Sequence, residues 1–241
     1  MTENTLKINH LVKNYGGKAI VQDVTLEVKQ GEVVGLLGPN GAGKTTIFYM
    51  TIGLIGADGG QILLNDSDVS NFPMYKRARL GLAYLPQEAS IFRGMTVYMN
   101  IYSILEIFQP DRKERARRLE QLLDDFSLSH LKNSIAASLS GGERRRVEIA
   151  RTLASNPLFI LLDEPFAGID PIAIREITGI ILKLKNMGIG ILITDHSIRE
   201  TLAIVDRAYV VYDGKILTSG NRDEIINNPD VKRFYLGEDF I

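Results

Sequence analysis

The segment Gly38-Pro39-Asn40-Gly41-Ala42-Gly43-Lys44-Thr45 constrains this chain more than any other. It fits the pattern G-x-x-x-x-G-K-[ST], whose glycines let backbone N–H groups turn inward around a chain of phosphates. The pattern carries that meaning only between a strand and a helix. Val33 to Leu37 is a continuous apolar run, as a parallel strand buried on both faces requires, and Thr45 to Leu54 has the pattern of a helix. The positive N-terminal end of that helix adds to an anion site. Lys44 is placed to reach β- and γ-phosphates, and the Thr45 hydroxyl to ligate Mg²⁺. Thr46 continues the nucleotide-contacting stretch that begins at Gly38.

The bulk numbers set limits on partners. The chain has 241 residues, enough for one large α/β domain or two small ones. Apolar residues make up 45% and charged residues 24%, a balance ordinary for soluble proteins. The net charge of −1 gives no pointer to nucleic acid or to an anionic membrane surface, and no nucleic-acid partner is expected. The sequence has no cysteine, which excludes disulfides and thiolate metal sites and fits a reducing compartment. Met1 to His10 is polar and of mixed charge, without the apolar core of a signal peptide. No apolar run approaches the ~20 residues that span a bilayer. A role at a membrane would therefore need another chain to hold this one there.

Leu6 to Leu11 and Lys18 to Lys29 alternate apolar and polar residues, as half-buried antiparallel strands do. Between about Ser90 and Pro157 three helices are expected, roughly Thr96–Phe108, Arg112–Phe126 and Gly141–Ser155. Two buried strands follow, Leu158–Asp163 and Ile189–Asp195, with a helix from about Pro171 to Met187 between them. Ala208–Tyr212 and Lys215–Ser219 form a hairpin-like pair around Asp213-Gly214. Both strand-rich halves are needed to bury one sheet, so residues 4–239 are expected to form a single domain with a helical insertion at about 90–157.

Leu158 to Asp163 is an apolar strand that ends in two carboxylates, Asp163 and Glu164. Downstream of a phosphate loop, an Asp at a strand end holds Mg²⁺ and its water shell. Asp163 fits that role. Glu164, one residue on, is placed to polarise an attacking water. Leu139-Ser140-Gly141-Gly142-Glu143 stands before an expected helix, where Ser140 and the N–H groups suit an anion. The same residues also suit a reciprocal N-cap, Ser140 with Glu143, and the two arrangements are compatible.

With these motifs in this order, the chain resembles the ATP-binding cassette family over essentially its whole length. The resemblance implies an α/β fold: a P-loop NTPase core with an antiparallel β subdomain and an inserted helical subdomain. It implies ATP and Mg²⁺ held between two copies, the P-loop of one facing Ser140, Gly141 and Gly142 of the other. By resemblance Tyr15 stacks on adenine, Gln87 touches Mg²⁺ and senses the partner, and His196 contacts the γ-phosphate. Asp170 stands in the D-loop, Ala167-Gly168-Ile169-Asp170. Lys44 and His196 would then stabilise charge on the γ-phosphoryl, Thr45, Gln87 and Asp163 would hold the metal, and Glu164 would be the base.

The resemblance also implies two permease subunits, docked near Gln87, Ile91, Phe92 and Arg93 at the entrance to the helical insertion. Ile91 and Phe92 equally suit packing of the insertion on the core. The charge runs Arg112 to Arg118 and Glu143 to Arg146 are expected on solvated faces, with some arginines pairing across the dimer. Within the family the chain is similar to the cytoplasmic ATPases of bacterial lipopolysaccharide export, peripheral on the inner membrane. That similarity rests on Leu85 to Arg93, Leu139 to Arg151, Asp163 to Pro171 and the ending Tyr235 to Phe240. ATPases of branched-chain amino-acid importers share much of the pattern. Cassettes that act on ribosomes or DNA usually have two cassettes in one chain or a long coiled coil, and no heptads are present here.

Overall fold

Alternate residues of the continuous apolar runs face opposite sides of one sheet. In the computed structural model, which describes residues 4–237, these runs are β3 (Val33–Leu37), β7 (Phe159–Asp163) and β8 (Gly190–Thr194). Val33, Ile160, Leu162, Ile191 and Ile193 pack on one side, while Val34, Leu36, Leu161 and Leu192 pack on the other. All fifteen positions of the three strands are buried, which is why the runs are unbroken. Glu238, Asp239 and Phe240 lie outside the described residues.

These strands belong to a six-stranded sheet in the order β10-β9-β3-β8-β7-β6, with β6 at Leu82–Leu85, β9 at Arg207–Tyr212 and β10 at Lys215–Gly220. Each neighbouring pair is parallel except β9 and β10, which form the hairpin expected around Asp213-Gly214. Both turn residues have positive φ, 46° and 74°. A second, antiparallel sheet has the order β2-β1-β4-β5, from β1 (Thr5–Tyr15), β2 (Lys18–Lys29), β4 (Gly59–Leu64) and β5 (Ser67–Asp68). Its inward face joins α1 (Lys44–Ile52) and one side of the parallel sheet in a common core.

The segment 90–157 carries α3 (Val97–Phe108), α4 (Arg112–Asp125) and α5 (Gly141–Leu153). Their starts are set by side-chain caps. Thr96 accepts from the Met99 N–H, Asp111 from that of Glu114, and Ser140 forms a capping box with Glu143. Leu105, Leu119, Leu122, Leu123, Val147 and Ala150 bury these helices against one another and against the other side of the parallel sheet. The helix expected after β7 is α6 (Pro171–Asn186), capped by Asp170, which accepts from the N–H groups of Ile172 and Ala173 at 2.8 and 3.0 Å. Among the described residues no helix is long and apolar enough to cross a membrane.

One correction concerns the entrance to this segment. Ile91 is only 6% exposed and belongs to the core beside Leu85, Val97 and Ile101, so it is not available to a partner. Phe92, the next residue, is 47% exposed. Nothing in the run Lys76-Arg77-Ala78-Arg79 sets Arg77 apart in sequence, yet the structure buries it. Arg77 is on α2 (Met74–Arg79) and is 2% exposed. It donates to the carbonyls of Met50 and Thr51 at the end of α1 and to those of Ser70 and Phe72, at 2.6–2.8 Å. It thereby caps carbonyls at the end of α1, that of Met50 also accepting from the Gly53 N–H at 3.2 Å.

Candidate nucleotide site

The carboxyl ends of β3, β8 and β7 lie side by side, and each ends in a polar segment. This is the edge at which open α/β sheets bind ligands. From β3 the chain enters the loop Gly38–Gly43. Gly38 (φ 143°) passes so close to β9 that an added Cβ would sit 2.1 Å from the Val211 carbonyl oxygen. Gly43 (φ 106°) would meet the Ile20 carbonyl oxygen at 2.8 Å. Only glycine fits either place, and the loop is wedged between β2 and β9. Lys44 opens α1 with its side chain nearly buried, and Nζ donates to the carbonyls of Gly38 and Pro39 at 2.7 and 3.0 Å. Burial pushes the Lys44 ammonium below the usual lysine range, while Glu164 opposes the shift.

At the end of β7, Asp163 is 6% exposed and accepts from the Tyr84 hydroxyl at 2.9 Å. Desolvation raises its pKa, the Tyr84 hydrogen bond opposes that, and the neighbouring charges of Glu164 and Asp195 add to it. Glu164 adopts a left-handed φ of 45°. Its N–H donates to the Thr194 carbonyl at 2.7 Å, which fixes the turn to the end of β8. The Glu164 carboxylate Oε1 lies 2.7 Å from His196 Nε2.

Sequence reasoning missed Asp195. It is fully buried, and its carboxylate accepts from the N–H groups of Phe166 and Ser197, both at 2.7 Å. One side chain thus pins the loop after Glu164 to the loop that carries His196. The signal was present in Thr194-Asp195-His196, but Asp195 looked like the last residue of a strand.

A cavity of about 580 Å³ gathers Asn40 through Thr46, Lys18, Ile20, Glu164 and His196. Tyr15 is half-exposed at the end of β1, paired in register with Lys18 and with the Lys13 ammonium 5.3 Å from its ring centre. Gln87, Gly141 and Gly142 line a second cavity, of about 310 Å³, which Glu164 also borders. Ser140, Gly142 and Asp170 line a third. Asp163 is held at the strand end, with Thr45 in the first cavity. Ser140 Oγ donates to Glu143 at 2.7 Å, so the capping arrangement is the one adopted here. Within one chain the signature residues, Ser140 to Gly142 at the start of α5, and the P-loop therefore face separate cavities.

The ABC transporter family profile matches residues 21–167. The chain belongs to the ABC transporter family. A probable ABC transporter ATP-binding protein of Azorhizobium caulinodans is 58% identical over 99% of this chain and 85% of its own. The lipopolysaccharide export system ATP-binding protein LptB of Escherichia coli is 54% identical over 98% of both chains. Among solved structures, the ADP conformation of MJ1267, an ATP-binding cassette of an ABC transporter, superposes with a TM-score of 0.86 at 30% identity, covering 99% of this chain and 100% of that one. The cassette fold is accordingly shown in full, P-loop core and antiparallel sheet included. Cassettes of this family bind ATP, hydrolyse it in step with transport, and act as dimers with transmembrane permease partners.

The raised pKa of Asp163 has a consequence for stability. A carboxyl whose folded pKa exceeds its unfolded value loses stability as pH rises through the folded pKa, and carries no penalty below the unfolded one. Asp163→Asn keeps an acceptor for Tyr84 and removes the buried charge. The nucleotide-free variant is expected to melt at a higher temperature than the parent at neutral pH, with the gain vanishing in acid. Calorimetry at the two pH values checks this, and an equal shift at both would contradict the buried-charge explanation.

Proposed function

We propose that two copies of this chain enclose two Mg-ATP between them, hydrolyse ATP, and so power two permease subunits that export lipopolysaccharide. The observation that carries the chemistry is the 2.7 Å contact between Glu164 and His196 beside the cavity that holds Lys44. Glu164 accepts a proton from the attacking water, and His196 orients that carboxylate and contacts the γ-phosphate. Lys44 exchanges its Gly38 and Pro39 carbonyls for phosphate oxygens. Little covalent work is asked of the protein beyond positioning and neutralisation of charge.

Thr45, Asp163 and Gln87 are the residues to hold Mg²⁺, which when bound neutralises phosphate charge. The fit is electrostatic: Asp163 is a desolvated carboxylate beside two others, an arrangement that a cation relieves. Pro39, Asn40, Gly41, Ala42 and Thr46 supply the rest of the phosphate contacts, and Tyr15 stacks on the adenine. Ser140, Gly141, Gly142 and Asp170 come from the opposite copy, a role supported by their lining cavities other than their own chain's P-loop cavity. The region from residue 4 to 239 acts as one domain, with 90–157 as its helical part.

Export is supported by 54% identity to the E. coli lipopolysaccharide export ATPase across nearly the whole of both chains. Docking near Gln87, Phe92 and Arg93 is supported by exposed apolar side chains about α3, with Phe92, Met95, Met99 and Ile135 each 39–47% exposed. The chain would then sit on the cytoplasmic face of the inner membrane through its permeases.

Two experiments test this. Glu164→Gln is expected to bind ATP and dimerise while hydrolysis slows by about 10²–10⁴-fold, the usual worth of a general base; a normal rate would remove Glu164 from that role. Mild detergent extraction followed by mass spectrometry is expected to recover two small permeases with periplasmic bridge components, and Phe92→Ala to lose them without loss of basal hydrolysis. Recovery of an amino-acid permease pair, or of ribosomal or DNA-bound proteins, would contradict export.

A further inference from the structure

Arg145, Glu148 and Arg151 recur every third residue along α5, so they form one row on the helix that begins at the signature. A run of mixed charge in a helix is ordinarily a solvated face. Here the central member is buried: Glu148 is 2% exposed. Burial of a carboxylate is costly unless its oxygens are used, and both are. Oε1 accepts from the N–H groups of Ser90 and Ile91 at 2.6 and 3.3 Å. Oε2 accepts from Arg145 Nη1 at 3.3 Å. Arg145 Nη1 also donates to the Pro86 carbonyl, one residue before Gln87, at 3.2 Å. At the other end of the row Arg151 donates to Ser90 Oγ at 2.7 Å and lies 5.0 Å from the centre of the Phe92 ring.

The segment from Pro86 to Phe92 is thus fastened to a single helix face at its two ends, at Pro86 and at Ser90 to Phe92. It begins at the end of β6, which pairs with β7 and thereby with the strand that carries Asp163. A cavity of about 310 Å³, bordered by Gln87, Ala89, Glu148 and Glu164, lies beside it, so without the fastening nothing fills the space on that side. Phe92 is held separately, because its N–H and carbonyl both bond the Asn100 side chain at 2.9 and 3.1 Å.

We infer that Glu148 is a positioning residue that locks the Gln87 loop to the signature helix, so that Gln87, the docking residue Phe92 and the signature move as one body. This rests on the metal role given to Gln87 above. Glu148 touches no nucleotide and acts through the loop that it holds. A displacement of the loop at Phe92 is thereby passed to the N-terminal end of α5, where Ser140 to Gly142 meet the partner's nucleotide.

The test uses the full chain with ATP and no permease, so its outcome is independent of the docking proposal. Residue-resolved hydrogen exchange and steady-state hydrolysis are measured for Glu148→Ala and Glu148→Gln. In Glu148→Ala the Ser90 and Ile91 amides are expected to exchange at least about tenfold faster, as loss of a charge-assisted acceptor implies. The Phe92 amide, still held by Asn100, stays protected. The kcat falls while the KM for ATP stays within about twofold, since the P-loop is untouched. The near-isosteric Glu148→Gln, which keeps one oxygen, lies between parent and Glu148→Ala, and it decides the matter alone if the alanine variant does not fold. Unchanged exchange at Ser90 and Ile91 overturns the lock. Loss of protection across β7 and α1 as well, with kcat and KM both altered in Glu148→Gln, overturns it in favour of a purely structural role. Released amides with unchanged kcat overturn the link to catalysis. Gln87→Ala run alongside separates the two failures: if it too leaves kcat unchanged, the metal role of Gln87 is what falls.

Discussion

Burial of β3, β7 and β8 on both faces is the constraint from which the site follows. A strand with apolar layers on each side has nowhere to place a charge except at its ends. Parallel alignment puts those ends on one edge, and the order β3-β8-β7 makes them neighbours. The phosphate loop, Asp195 with His196, and Asp163 with Glu164 therefore converge without any long-range device beyond the sheet itself. The local ties are short and few. Asp195 joins the loops after β7 and β8, the Glu164 N–H meets the Thr194 carbonyl, and close approach of backbone at Gly38 and Gly43 fixes the P-loop.

The same edge stores unfavourable electrostatics. Asp163, Glu164 and Asp195 crowd together with little solvent, and Lys44 is partly desolvated beside backbone carbonyls. In a protein whose sole task was to be stable this arrangement would be a defect. It makes sense where a polyphosphate and its cation complete the charge balance, because each buried group then gains a partner of opposite sign. The signature helix is built the other way: Glu148 and its arginines are already paired within the chain. One half of the machinery is electrostatically open and the other closed, as befits an actuator that waits on a ligand and a lever that transmits its arrival.

Much of this was legible in sequence for identifiable reasons. The P-loop, the Asp163-Glu164 strand end and the Ser140-Glu143 cap are encoded by contiguous residues, so local chemistry suffices to find them. The helix starts expected near Thr96, Arg112 and Pro171 fall within about a residue of those observed, where Thr96, Asp111 and Asp170 cap the helices. What the sequence withheld depends on pairing across long separations. Insertion of β8 between β3 and β7 is set by packing. Arg77 is an ordinary basic residue until it meets the end of α1, 26 and 27 residues earlier. Glu148 belongs to a charged helix until Ser90, 58 positions before it, lends an amide. Ile91 and Phe92 are equivalent in composition, and only the turn of the chain between them sends one inward and one out.

The central claim is that each nucleotide is served by the P-loop of one copy and the signature of the other. Complementation measures it directly. One variant carries Lys44→Ala with an intact signature, the other Ser140→Arg with an intact P-loop, and each alone is expected to be inactive. Equal mixing makes half of the dimers mixed, each with one intact site of two, so about a quarter of the parental ATPase activity should return. A mixture no more active than its parents would mean that each chain completes its own site, and would contradict the shared arrangement.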